Sequence, residues 1–119
     1  MKYIKLFESL ELKKYLVWKT QISDSFDRIK DVFQIFKVVA YDKLADGFDK
    51  KLQRVTIEMV YLYDLEKRQE LYNSGGNVRD KRFTFPIEQL KGYVEFESDN
   101  LEDCYDQLQM ILNADKYNL

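Results

Sequence analysis

Leu101, Cys104, Tyr105, Leu108, Ile111 and Leu112 recur at i, i+3, i+4 and i+7 spacing toward the end of the sequence. That spacing puts all six on one side of a 3.6-residue helix. Asp103, Asp106, Gln107 and Gln109 fall off the stripe. A short helix with one apolar stripe draws most of its stability from whatever covers that stripe, so the chain needs a second layer. The pattern predicts a helix over residues 100–113. Asp99 stands three residues before Glu102, the spacing of a capping box with Asp in place of Ser or Thr. Acids in the first turn also complement the helix dipole.

The second layer reads as strands. In residues 53–63, Val55, Ile57, Met59, Tyr61 and Tyr63 alternate with Thr56, Glu58, Val60 and Leu62. Strict alternation of β-branched and aromatic residues predicts a strand with the odd-numbered set on one face. Residues 15–20 read the same way. In residues 93–97, Val94 and Phe96 alternate with Glu95 and Glu97, as in a strand with one wet face. Residues 23–45 carry two patterns. Ile22, Phe26, Ile29, Phe33, Phe36 and Ala40 fit a helical stripe, whereas residues 32–41 are dense in Val, Phe and Ile. The expectation adopted is a short helical turn near 24–31 followed by a strand at 32–41, with one long helix over 24–45 as the alternative. Residues 73–77 (Asn-Ser-Gly-Gly-Asn) read as a loop. Residues 84–90 read as a short helical turn with Pro86 near its start and Gly92 after its end.

The order is therefore several antiparallel strands, a short turn, a last strand and a helix. It implies a small α+β domain over residues 13–119, in which an antiparallel sheet carries a C-terminal amphipathic helix. By fold-level analogy the order is compatible with an SH3-like barrel. Residues 1–12 form an N-terminal segment in which Tyr3, Leu6, Phe7 and Leu10 fit a short helix. One domain suits 119 residues, and 45% apolar with 34% charged residues gives both a core and a solvated surface.

Composition narrows the chemistry. The chain has no histidine and a single cysteine, Cys104. That removes the usual general base near neutral pH, the Ser-His-Asp and Cys-His arrangements, and ordinary structural zinc sites. One thiol closes no internal disulfide. The N-terminal apolar residues are interrupted by Lys5 and Glu8, and no stretch approaches the ~18 apolar residues of a membrane span. A cytoplasmic protein without cofactor or catalytic residues is the expectation. Cys104, on the apolar stripe and among acids, is expected to be packed and inert.

Charge is distributed unevenly. Residues 1–85 carry 17 Lys/Arg against 13 Asp/Glu, whereas residues 86–119 carry 2 against 8. Glu95, Glu97, Asp99, Glu102, Asp103 and Asp106 crowd within twelve residues that hold no Lys or Arg. As an acid/base pair they lack a companion nucleophile. As an exposed set they would steer a basic partner protein toward this surface. The basic and aromatic segment Arg79, Lys81, Arg82, Phe83 and Phe85 supports the alternative, nucleic-acid binding by stacking and phosphate contacts. A net charge of −2 argues against a general nucleic-acid binder. The sequence thus points first to a non-enzymatic protein-interaction module with a basic protein partner and no membrane contact.

Overall fold

A computed structural model describes residues 12–23, 28–42, 53–74 and 82–117. The elements are β1 (Tyr15–Ser23), β2 (Ile29–Tyr41), β3 (Arg54–Asp64), β4 (Gln69–Asn73), β5 (Arg82–Pro86), α1 (Ile87–Tyr93), β6 (Phe96–Ser98) and α2 (Leu101–Tyr117). The six strands form one sheet in the order β4-β3-β2-β1-β6, with every pairing antiparallel. β4 takes the last part of β3's outer edge and β5 takes the first part. No pairing among the described residues joins β6 to β4 or β5, so these pairings leave the sheet open rather than closed as a barrel.

Both faces of the sheet are apolar, and each is covered by one helix. Leu16, Trp18, Phe36, Val55, Ile57 and Met59 pack with Ile87 and Leu90 of α1. Val17, Phe33, Ile35 and Tyr61 pack with Cys104 and Leu108 of α2. Trp18 stacks on Phe36 at 4.1 Å in the first core, and Tyr105 meets Tyr61 edge-on at 5.0 Å in the second.

β3 supplies both cores because its register slips. Phe36 pairs with Met59 and Ile35 with Tyr61, which leaves Val60 as an extra residue. A bulge of this kind reverses the side-chain alternation on either side of it. Val55, Ile57 and Met59 therefore face α1, whereas Tyr61 and Tyr63 face α2 and Leu62 joins the first core. The single odd-numbered face read from the sequence is corrected accordingly.

Other boundaries move for identifiable reasons. Ile29, Lys30 and Asp31 belong to β2, not to a helical turn, because they pair with Ser23, Ile22 and Gln21 of β1. Ladder hydrogen bonds outweigh the helical stripe there, and Ile29 is left 64% exposed. The long-helix alternative is likewise overturned by β2; residues 24–27 lie outside the described residues. The last strand is Phe96–Ser98, since Tyr93 ends α1 and Glu95 stands between the two elements. Gly92 lies inside α1, whose N-cap is Pro86. α2 runs to Tyr117, four residues past the expected end. Its cap is Asn100, whose Oδ1 accepts from the Glu102 amide at 3.0 Å; Asp99 instead accepts from the Lys14 amide at 3.0 Å. The loop expected at 73–77 is described only through Ser74, and the Tyr3–Leu10 stripe lies outside the described residues.

The β3–β4 turn is built on a buried carboxylate. Asp64 is 1% exposed, and its Oδ1 accepts from the amides of Glu66 at 2.9 Å and Lys67 at 3.0 Å. Lys30 Nζ lies 3.7 Å from Oδ2. Arg68 then takes a left-handed conformation, φ 52°, to return the chain into β4. The Lys67 amide foremost, then the Glu66 amide and the Lys30 charge, hold the Asp64 carboxyl below the ordinary carboxylate range against the opposing effect of burial.

Two outcomes test this packing. Leu108→Ala is expected to lose about 2–5 kcal/mol in urea unfolding, because Leu108 is 2% exposed on the sheet-facing side of α2. Met110→Ala, at a position 63% exposed, should stay within about 0.5 kcal/mol. A small loss at Leu108 would place α2 off the sheet. Asp64→Ala should cost about 1–3 kcal/mol at pH 7 by leaving turn amides unpaired. Because the folded pKa of Asp64 is depressed, its contribution is present above the unfolded carboxyl pKa of about 3.9 and is lost as pH falls through the folded value. The gap between wild type and variant should therefore narrow in unfolding curves taken progressively below pH ~4; a constant gap would contradict the ionised role.

Candidate functional site

The six acids gather around the β6 edge of the sheet. Glu97 pairs with Leu16 and so stands on the α1 side, whereas Phe96 and Ser98 pair with Val17 and Tyr15 on the α2 side. Asp103 and Asp106 follow on α2. The set wraps an edge and is divided between two faces.

Three of the six are tied into the fold. Glu97 Oε2 accepts from the Lys13 amide at 3.4 Å, and Asp99 accepts from the next amide along. These bonds fasten the entry to β1 against β6. Ser98 Oγ donates to Asp103 Oδ2 at 2.7 Å and accepts from the Asn100 amide at 3.0 Å, which orders the start of α2. Glu95, Glu102 and Asp106 are exposed. No described Lys or Arg lies within ion-pair distance of any of the six; the ion pair found among the described residues is Lys30–Asp64. Glu95 and Glu97 also line a groove of about 380 Å³ with Leu12, Lys91, Val94 and Phe96.

The basic and aromatic segment is divided as well. Phe83 pairs with Ile57 and Phe85 with Val55, so both rings stand on the α1 face. Phe85 packs against the first core, and Phe83 meets the buried Phe36 edge-on at 6.1 Å while remaining 43% exposed. Arg82 pairs with Glu58 and stands on the opposite face. Arg79 and Lys81 lie outside the described residues. Alternation that looked like interleaving in the sequence thus separates charge from rings in space.

Sequence reading missed two features of the α2 face. The first is a polar stretch of sheet beyond the helix, where Arg54, Thr56 and Glu58 of β3 lie beside Arg82 and Thr84 of β5, and Lys37 of β2 pairs with Glu58. Thr56 and Thr84 share a hydroxyl hydrogen bond at 3.2 Å. The second is a cleft of about 310 Å³ where Tyr15, Lys37, Asn73, Ser74 and Tyr105 converge from four elements and the loop after β4. These residues are spread over ninety positions, and nothing in their local sequence marks them.

Cys104 is fully buried, and burial together with Asp103 pushes its thiol up to about 11, so it is unreactive near neutral pH. Among the described residues no three acids or cysteines are grouped to hold a metal ion, and no helix is long and apolar enough to cross a membrane. No family model matches the chain, and no curated protein and no solved structure matches it either.

Proposed function

We propose that the chain is a non-enzymatic protein-interaction module whose acidic β6 edge meets a basic surface on a protein partner. The observation that carries this reading is the exposure of Glu95, Glu102 and Asp106 with no described cation paired to them. Uncompensated charge at one edge raises the local potential and speeds encounter with a cationic partner. The same charges also keep a short edge strand from pairing with other chains, which is their role if no partner uses them.

Glu102 and Asp106 lie one turn apart on α2 and hold no side-chain bond among the described residues, so they separate the two roles better than Asp103, which Ser98 engages. Exchanging both for Lys should leave folding within about 1 kcal/mol, allowing for the helix dipole. With a partner captured from the native host, stopped-flow association at low salt should slow by about tenfold or more and lose most of its salt dependence. Unchanged rates would remove the acidic edge from the interaction.

A second reading, nucleic-acid binding, draws on Lys37, Arg54 and Arg82 sharing the open part of the α2 face. Glu58 sits among these cations, and Phe83 and Phe85 are on the other side. The expected outcome is no submicromolar duplex DNA binding at moderate salt. Tight binding weakened by Arg82→Ala would raise this reading to first place.

A further inference from the structure

We infer that the cleft between β1, β2, β4 and the first turns of α2 binds a small monocarboxylate with an apolar body, its carboxylate held by Lys37. None of the six acids lines the cleft, and the inference does not depend on the interaction reading. Its volume, about 310 Å³, is at the lower end of ligand sites, so its occupant is small. The walls are mixed in the way such sites are: Val60 and Leu101 are apolar, and Tyr15 and Tyr105 present rings with hydroxyl ends.

Charge selects the ligand. Among the described residues Lys37 is the one charged residue in the lining, is partly buried, and has no carboxylate within ion-pair distance. Its cross-strand neighbour Glu58 is flanked on the other side by Arg82. Lys14 Nζ lies 5.5 Å from the centre of the Tyr15 ring and adds positive potential nearby. Neutral polar groups complete the set: Ser74, Asn73 and the Tyr105 hydroxyl. A second negative charge on the ligand is disfavoured by Glu70, which pairs with Tyr63 in the β3–β4 ladder and whose charge helps to raise the pKa of Tyr61 and Tyr105 beyond the larger effect of burial. One lysine with neutral donors and a carboxylate close by suits a monoanion better than a phosphate dianion.

The backbone is specialised at this place. The Val60 bulge lies in the cleft wall, and its carbonyl accepts from the Ser74 amide at 2.9 Å, which anchors the chain leaving β4. Bulges are frequent beside binding sites because they re-aim side chains. Here the bulge brings Tyr61 to the α2 face beside Tyr105.

The test is a heteronuclear NMR titration of the full chain with benzoate, benzamide and inorganic phosphate. Benzoate is expected to give saturable shifts at the amides of Tyr15, Ser74 and Tyr105. Benzamide, matched in shape but neutral, should bind at least about tenfold more weakly, as loss of one charged hydrogen bond implies, and phosphate should also bind at least about tenfold more weakly because of its second negative charge. Lys37→Met should weaken benzoate by a similar factor, and Tyr105→Phe by less. A short acetylated peptide ending in Phe, with a free or an amidated C-terminus, tells a polypeptide carboxylate from a free small molecule. Lys37-dependent binding of either carboxylate supports the site. Absence of saturable shifts with both carboxylates, or equal affinity of wild type for benzoate and benzamide, overturns it without reliance on any variant.

Discussion

The register of β3 against β2 is the constraint on which both cores depend. Without the extra residue at Val60, Tyr61 and Tyr63 would stand with Met59 on the α1 side. The bulge instead gives the first part of β3 to one core and the last part to the other. α2 consequently finds Tyr61 beneath Tyr105, and α1 finds Ile57 and Met59 beneath Ile87 and Leu90. A small domain has little interior to share, and covering both faces of one sheet lets each helix bury its stripe on a surface already formed.

The same arrangement allocates the polar groups. Carboxylates near the chain's acidic end serve first as acceptors for amides that the sheet edge and helix start leave open: Glu97 and Asp99 for the entry to β1, Asp103 through Ser98 for the start of α2. Such bonds satisfy donors that lack a ladder or helical partner. The remaining acids, Glu95, Glu102 and Asp106, are left to solvent beside a three-residue edge strand. Asp64 shows the buried version of this use, since two turn amides and Lys30 keep its charge tolerable inside. On the opposite side, rings that resemble a stacking platform in the sequence are largely committed to the first core through Phe36 and Phe85.

Much of the local structure was determined by the sequence alone. The stripe from Leu101 to Leu112 specified α2, because a 3.6-residue period has few other uses, and Leu101, Tyr105 and Leu108 pack on the sheet as that period requires. The cores of β1 and β3 followed from alternation and β-branched density, and the burial of Cys104 from its place on the stripe. Tertiary structure decided what period alone leaves degenerate. On the helical stripe through Ile22, Ile29, Phe33 and Phe36, residues 29–31 became strand because β1, which itself contains Ile22, offered a ladder to pair with. β4 was missed because five largely exposed residues carry almost no pattern, and it exists because Asp64 closes the turn before it. The site residues divide in the same way: the acidic run was visible as composition, but its distribution around an edge, the separation of Arg82 from Phe83, and the meeting of Tyr15, Lys37, Asn73 and Tyr105 all depend on register. Local sequence fixes which residues favour a strand or a helix, whereas a one-residue slip in pairing, settled by packing across the whole sheet, fixes which way each side chain points.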